Sequence, residues 1–215
     1  MLKLGDKTIS KLYLGDKAIS KAYLGEKLVF QAGGRFVESI VFDGASWINT
    51  DIVPQFGDKL EICGRYTDNV QTGAMFGAGA GDYQLIWLAV ANTQRVYYKY
   101  FEAGGARVLE YTPNKTFFAE CYADGSVSIN GEQVLAPVTT LSNQTVNTNL
   151  FIGSRGGGGN PLTGFINFSK LIASDGTVKL GLRPYVDENG VACFKDVVTG
   201  NIFYNQGTGT LGYTE

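Results

Sequence analysis

The sequence contains no histidine. That excludes Ser-His-Asp and Cys-His catalysis, histidine zinc sites and histidine pH switches. Charged residues make up only 18% of the 215 and sum to a net charge of −2, so no bulk positive field exists to hold nucleic acid or an anionic membrane surface. Long hydrophobic runs are also missing. The longest clean apolar stretch, Leu85 to Ala91, is far short of a membrane span, and no membrane insertion is expected. The N-terminal Met1-Leu2-Lys3-Leu4-Gly5-Asp6 has no apolar core of a secretory signal. Cys63, Cys121 and Cys193 are odd in number, widely spaced and form no C-x-x-C pair, which reads as buried, reduced thiols in a strand core. Without a secretory signal, the sequons at Asn114, Asn143 and Asn167 read as chance.

What the chain has in quantity is glycine, 29 residues, and aromatic side chains, 13% of the total. Many turns with many Tyr and Phe favour an all-β protein. From Arg35 onward, short β-rich runs alternate with turn signals. The runs are Val37–Phe42, Lys59–Tyr66, Tyr83–Val90, Arg95–Phe101, Thr116–Tyr122, Ser126–Asn130, Gln133–Leu135, Asn149–Ile152 and Gly164–Ile172. Asp124-Gly125 and Asn130-Gly131 are strong hairpin turns joining three short strands. With no convincing long helix, the pattern predicts two packed antiparallel sheets.

A repeat precedes this body. Leu4-Gly5-Asp6-Lys7, Leu14-Gly15-Asp16-Lys17 and Leu24-Gly25-Glu26-Lys27 recur with a period of ten. A Gly-Asp pair between β-formers predicts a two-residue hairpin turn with glycine at positive φ, and hence strands of about eight residues that zigzag as a small meander. Residues 1–34 carry six Lys against three acids, and the remainder 12 Lys and Arg against 17 acids. This shift supports a boundary at Gln31-Ala32-Gly33-Gly34 and two units, 1–34 and 35–215. The first unit is too small to be stable alone. It packs on its own body or, the sharper reading, buries its apolar face against other subunits or a larger particle.

Alternation assigns faces. In Arg95–Phe101, Val96, Tyr98 and Tyr100 share one face and Arg95, Tyr97, Lys99 and Phe101 the other. The first reads as core. The second is polar and aromatic together, as a carbohydrate surface or a wet interface requires. Gly153-Ser154-Arg155-Gly156-Gly157-Gly158-Gly159-Asn160 lacks the Gly-Lys-Ser/Thr ending of a phosphate loop and reads as a flexible sandwich loop.

Several motifs in order along the chain resemble concanavalin A-like lectin and laminin G-like domains. Thr116 to Gly131 is similar to their strand–DG–strand–NG hairpin pair, and Phe42-Asp43-Gly44-Ala45-Ser46-Trp47-Ile48-Asn49-Thr50 to their opening strand. Phe151-Ile152-Gly153 with Gly164-Phe165-Ile166 resembles their late pair. Arg183 to Gly200, followed by Phe203-Tyr204-Asn205, resembles the tail of such domains in gut bacteria and their phages. The LGDK repeats resemble N-terminal segments of phage tail or fibre proteins. The resemblance implies a jelly-roll-like sandwich in a virion protein assembled in the bacterial cytoplasm. Residues 1–34 would engage other virion proteins, a homotrimer would form by analogy with fibres, and the body would adhere to a host surface glycan.

Hydrolases of this fold class carry Glu-x-Asp-x-x-Glu, and no such triplet occurs here. The acid pairs Asp58/Glu61 and Asp187/Glu188 read as solvated charges, so no enzyme is expected. Legume-lectin-type metal sites need a histidine. A laminin G-type calcium site remains open, with Asp82 one candidate, but no cofactor is required. Sugars need aromatic faces and fixed hydrogen-bonding groups. The candidates are Tyr97, Arg95, Lys99 and Trp87 on strands, beside Tyr83, and Asp82, Arg155 and Asn160 on loops. Trp87 also reads as core, and the Tyr97 face serves a subunit interface equally well. The alternative function is a structural fibre subunit without glycan affinity.

Overall fold

A computed structural model describes residues 3–4, 7–8, 12–14, 17–19, 21–24, 27–31, 33–67, 72–79, 83–90, 93–103, 106–138 and 145–215. Side chains are described at 22–24 and, apart from 83, 90, 102 and 103, in the segments from 33 onward.

The body is the all-β, two-sheet antiparallel sandwich expected from the sequence. Its larger sheet runs Glu132–Leu135, Val127–Ile129, Phe117–Cys121, Lys59–Tyr66, Thr163–Ile172, Val178–Val186, Ala192–Asp196, Ile202–Phe203. Ser39–Asp43 pairs with the first half of Thr163–Ile172, and Val178–Val186 with the second. Gly212–Thr214 pairs with Ser39–Asp43, and Arg35–Phe36 with the end of Val178–Val186. The smaller sheet runs Arg107–Glu110, Arg95–Ala103, Tyr83–Val90, Gly73–Ala78, Phe151–Ile152, Ile48–Asn49. The chain crosses from the smaller sheet to the larger between Glu110 and Phe117.

Strict alternation places the core. In Lys59–Tyr66, Leu60, Ile62 and Tyr66 are buried while Lys59, Glu61, Cys63 and Arg65 are only half-buried. Facing them, Phe76, Trp87, Tyr98 and Tyr100 come from the smaller sheet, with Trp87 within 5.7 Å of the Phe117 ring. Each such side chain contributes about 1.5–3 kcal/mol on burial.

Phe101 departs from the alternation. It was expected outward with Tyr97 and Lys99 but is fully buried. The pairing of Gln84 with Glu102 and of Leu85 with Tyr100 leaves it as an extra residue in a bulge, at φ 47. The bulge turns its ring inward, edge-on to Tyr100 at 5.0 Å. Holding a non-glycine residue at positive φ costs about 1–3 kcal/mol, a sum the burial of a phenylalanine offsets.

The N-terminal repeats differ from the expected meander. Lys3–Leu4 pairs with Lys7–Thr8, Leu12–Leu14 with Lys17–Ile19, and Lys21–Leu24 with Lys27–Gln31. The partners Leu4 and Lys7, Leu14 and Lys17, and Leu24 and Lys27 each leave two residues between them, as the Gly-Asp and Gly-Glu pairs predict. Ten residues therefore make a whole hairpin, not one long strand. Among the described residues these three hairpins pair neither with one another nor with the body.

The three thiols are free. Burial pushes Cys121 and Cys193 up to about 12, so both stay protonated and unreactive near neutral pH. Cys63 corrects the expectation of three buried thiols: it lies on the outward side of its strand and is half-buried.

Acid stability follows from carboxylates held below their usual range, among them Glu120, Asp124, Asp43 and Asp196. At Glu120, the hydrogen bond from Lys59 outweighs burial. At Asp124 the Ser126 hydroxyl dominates. Burial pushes Asp43 and Asp196 up, but backbone amides, with the Thr199 hydroxyl at Asp196, outweigh it. A depressed folded-state pKa adds stability above the unfolded value of about 4, and that stability is lost as pH falls through the folded values. With no histidine to titrate, the melting temperature should be flat from about pH 8 to 5 and fall progressively below about pH 4. Calorimetry across this range checks it, and a step between pH 5 and 8 would contradict it.

Candidate functional site

The outward face of the smaller sheet is defined by register. Lys99 lies opposite Ile86, and Ile86 opposite Gly77. Tyr97 lies opposite Leu88 on one side and Val108 on the other, and Leu88 opposite Ala74. Trp87, Tyr98 and Phe76 alternate with these and point into the core.

Gly77 is the position that shapes this face. A Cβ built there would collide with the backbone of Arg155. The missing side chain lets the loop from Ser154 to Asn160 lie directly on the strand Gly73–Ala78. The loop is cross-braced and corrects the expectation of a flexible segment. The buried Ser154 hydroxyl donates to the Gly159 carbonyl at 3.0 Å and accepts the amides of Gly156 and Gly158 at 3.2 and 3.1 Å. Arg155 N donates to Gly159 O at 2.8 Å, and Ala74 N to Asn160 O at 2.9 Å.

So placed, Arg155 extends across the sheet, and its Nη2 donates to Gln84 Oε1 at 3.3 Å. Gln84 is 5% exposed, which fixes the acceptor. A cleft of about 300 Å³ opens over this face, floored by Ile86 and Leu88 and bounded by Tyr97, Lys99, Gln84 and Arg155. The floor offers apolar surface, the Tyr97 ring an aromatic side, and Lys99, Arg155 and Gln84 polar groups, of which Arg155 and Gln84 are bonded to each other. Lys99 and Arg155 make no ion pair among the described residues. Acids are nearby in register, Glu102 opposite Gln84 and Glu110 opposite Arg95. The face is thus mixed in charge and suited to a polar ligand with one apolar side.

Three of the residues singled out from sequence, Tyr97, Lys99 and Arg155, meet in this cleft. Arg95 is exposed on the same face but does not line it. Trp87 is 1% exposed and packs on Phe76, Tyr98 and Phe117, which removes it from the outward face. Asn160 is half-buried and serves the loop through its carbonyl. Asp82 lies outside the described residues, as does the side chain of Tyr83. Gln84, Ile86 and Leu88 escaped the sequence reading, although their alternation with Leu85 and Trp87 was a usable signal.

Of the acids read as solvated, Glu188 is exposed as expected, while Asp58, Glu61 and Asp187 are not. Asp58 is 3% exposed and holds Lys179 Nζ at 2.7 and 2.9 Å while accepting Gln55 N at 2.8 Å. Asp187 is buried and accepts the amides of Asn189 and Val191 and the Tyr204 hydroxyl. Burial is the larger cause, and that bond the second, of the Tyr204 hydroxyl's rise to about 12. Glu61 meets Lys59 at 3.0 Å and Lys170 at 3.6 Å, and Glu120 meets Lys59 at 2.6 Å. Among the described residues no group of three or more Cys, Asp or Glu side chains is placed to hold a metal ion.

No family model matches the sequence, and no curated protein matches it. Among solved structures, the chain is similar in fold to a protein from Bacteroides ovatus described as a putative carbohydrate binding protein, with a TM-score of 0.59 at 11% identity, over 93% of this chain and 67% of that one.

Proposed function

We propose that the protein is a non-catalytic adhesin of a phage virion, in its tail or fibre, whose sandwich binds host cell-surface carbohydrate on the outward face of the smaller sheet. The observation that carries this reading is the convergence of Tyr97, Lys99 and Arg155 over the apolar floor of Ile86 and Leu88. A sugar laid on that floor meets the tyrosine ring with its C–H face and the cations and Gln84 with its hydroxyls. The fold likeness to a carbohydrate binding protein supports the same class of ligand. Catalysis by a carboxylate pair is disfavoured. Asp58, Glu61 and Glu120 are engaged by lysines, and a carboxyl with a lowered pKa, such as Glu120, is a poor proton donor.

The virion placement rests on the LGDK repeats and on the hairpins they form. An isolated two-stranded hairpin is marginal in water, and Tyr23 and Leu24 are 56% and 75% exposed. Burial against copies of the same chain, as a trimer, or against other virion proteins resolves both problems. A single open site has affinity on the order of millimolar, about −4 kcal/mol, and clustering raises avidity by roughly 10²–10⁴. The same exposed side chains favour a second reading, a structural fibre subunit that uses the repeats for assembly and binds no glycan.

Two outcomes are expected. On an immobilised glycan panel, Tyr97→Ala and Arg155→Ala should each weaken binding about tenfold, or about 1.4 kcal/mol, with melting unchanged. Unchanged binding by both folded variants removes these residues from the site. By light scattering, the full chain should be oligomeric and a chain lacking 1–34 monomeric. An oligomeric truncated body would assign assembly to the body instead.

A further inference from the structure

A second cleft, of about 350 Å³, lies where the chain crosses from the smaller sheet to the larger. Beneath it lie the buried rings of Trp87 and Phe117, 5.7 Å apart and nearly parallel, at 21°. Tyr111, anchored on the Tyr66 ring at 4.9 Å, forms one wall. Gln94, Glu110, Lys115 and Asn130 complete its lining, and all four are exposed.

The backbone is shaped to present these groups. Gln94 and Asn130 have φ of 50 and 53, and Asn114, next to Lys115, has φ of 57. Left-handed non-glycine residues are uncommon, and three border one cleft. Backbone bonds fix the turns, from Tyr111 N to Gln94 O at 3.0 Å and from Asn114 N to Tyr66 O at 2.7 Å. Asn130 Oδ1 accepts Phe118 N at 2.9 Å. Its Nδ2, the Gln94 amide, the Glu110 carboxylate and the Lys115 ammonium have no hydrogen-bond or ion-pair partner among the described residues.

We propose that this cleft is a second carbohydrate site, separate from the outward face, that takes one neutral sugar residue. Its volume is at the lower end of the roughly 300–1,000 Å³ of small-molecule sites, which suits one ring. Glu110 and Lys115 cancel in charge, so no ionic ligand is selected. The lining combines donors with acceptors, and sugar hydroxyls are both. The half-buried Tyr111 ring on its wall matches the C–H face of a pyranose.

The chain has two tryptophans, and Trp47 packs elsewhere, on Phe151 at 5.5 Å. In a Trp47→Phe variant, emission therefore reports Trp87 alone. Titration with glucose, galactose, mannose and N-acetylglucosamine should give a saturable change with at least one, half-complete at millimolar concentration. Glu110→Gln and Lys115→Ala should each weaken it about tenfold, with melting unchanged, and Tyr97→Ala should leave it intact. The indole N–H resonance of Trp87 in the unsubstituted chain gives the same readout. Absence of any saturable change, or one untouched by both lining variants, overturns the proposal. A change abolished by Tyr97→Ala overturns it too, by placing the sugar on the outward face. Loss of outward-face binding alone leaves this site standing, so the two readings fail separately.

Discussion

The outward face of the smaller sheet depends on a contact that only glycine permits. Two backbones, the strand Gly73–Ala78 and the loop carrying Arg155, approach so closely at Gly77 that no Cβ fits between them. Ser154 and the bridge between Gly156 and Gly159 hold the loop in that position, and Gln84 receives the guanidinium at the far end. Without the contact, Arg155 would have no fixed relation to Tyr97 or Lys99. Because strand and loop are braced, Arg155 and Gln84 would be set before a ligand arrives, which would lower the entropic cost of binding.

The charged groups divide by task. Most described carboxylates are committed to the framework: Asp196 and Asp187 close turns, Asp58 anchors Lys179, and Glu61 and Glu120 are bound to lysines across the larger sheet. Side chains without such commitments include Lys99 at one cleft and Gln94, Glu110 and Lys115 at the other.

Strands with clean alternation were legible in the sequence: Lys59–Tyr66 and Tyr83–Val90 form where expected, and Val96, Tyr98 and Tyr100 are core. Gly73–Ala78 was not, because it is buried throughout, so it carries no period-2 signal. Phe101 was misassigned because a bulge breaks the very alternation used to place it. The two-residue spacing between hairpin partners was readable from the LGDK repeats, while the strand lengths were not, since the period alone cannot tell one long strand from a complete short hairpin. Tyr97, Lys99 and Arg155 were each named from sequence. Their meeting was not readable, because it depends on Gly77 and Arg155, distant in the chain, touching across the sheet.

The most direct measurement is the affinity of a Gly77→Ala variant for the immobilised glycan panel, read together with its melting temperature. The account predicts a folded protein in which the displaced Arg155 loop costs about tenfold or more in binding, or about 1.4 kcal/mol. Full affinity with the added methyl group in place would contradict it.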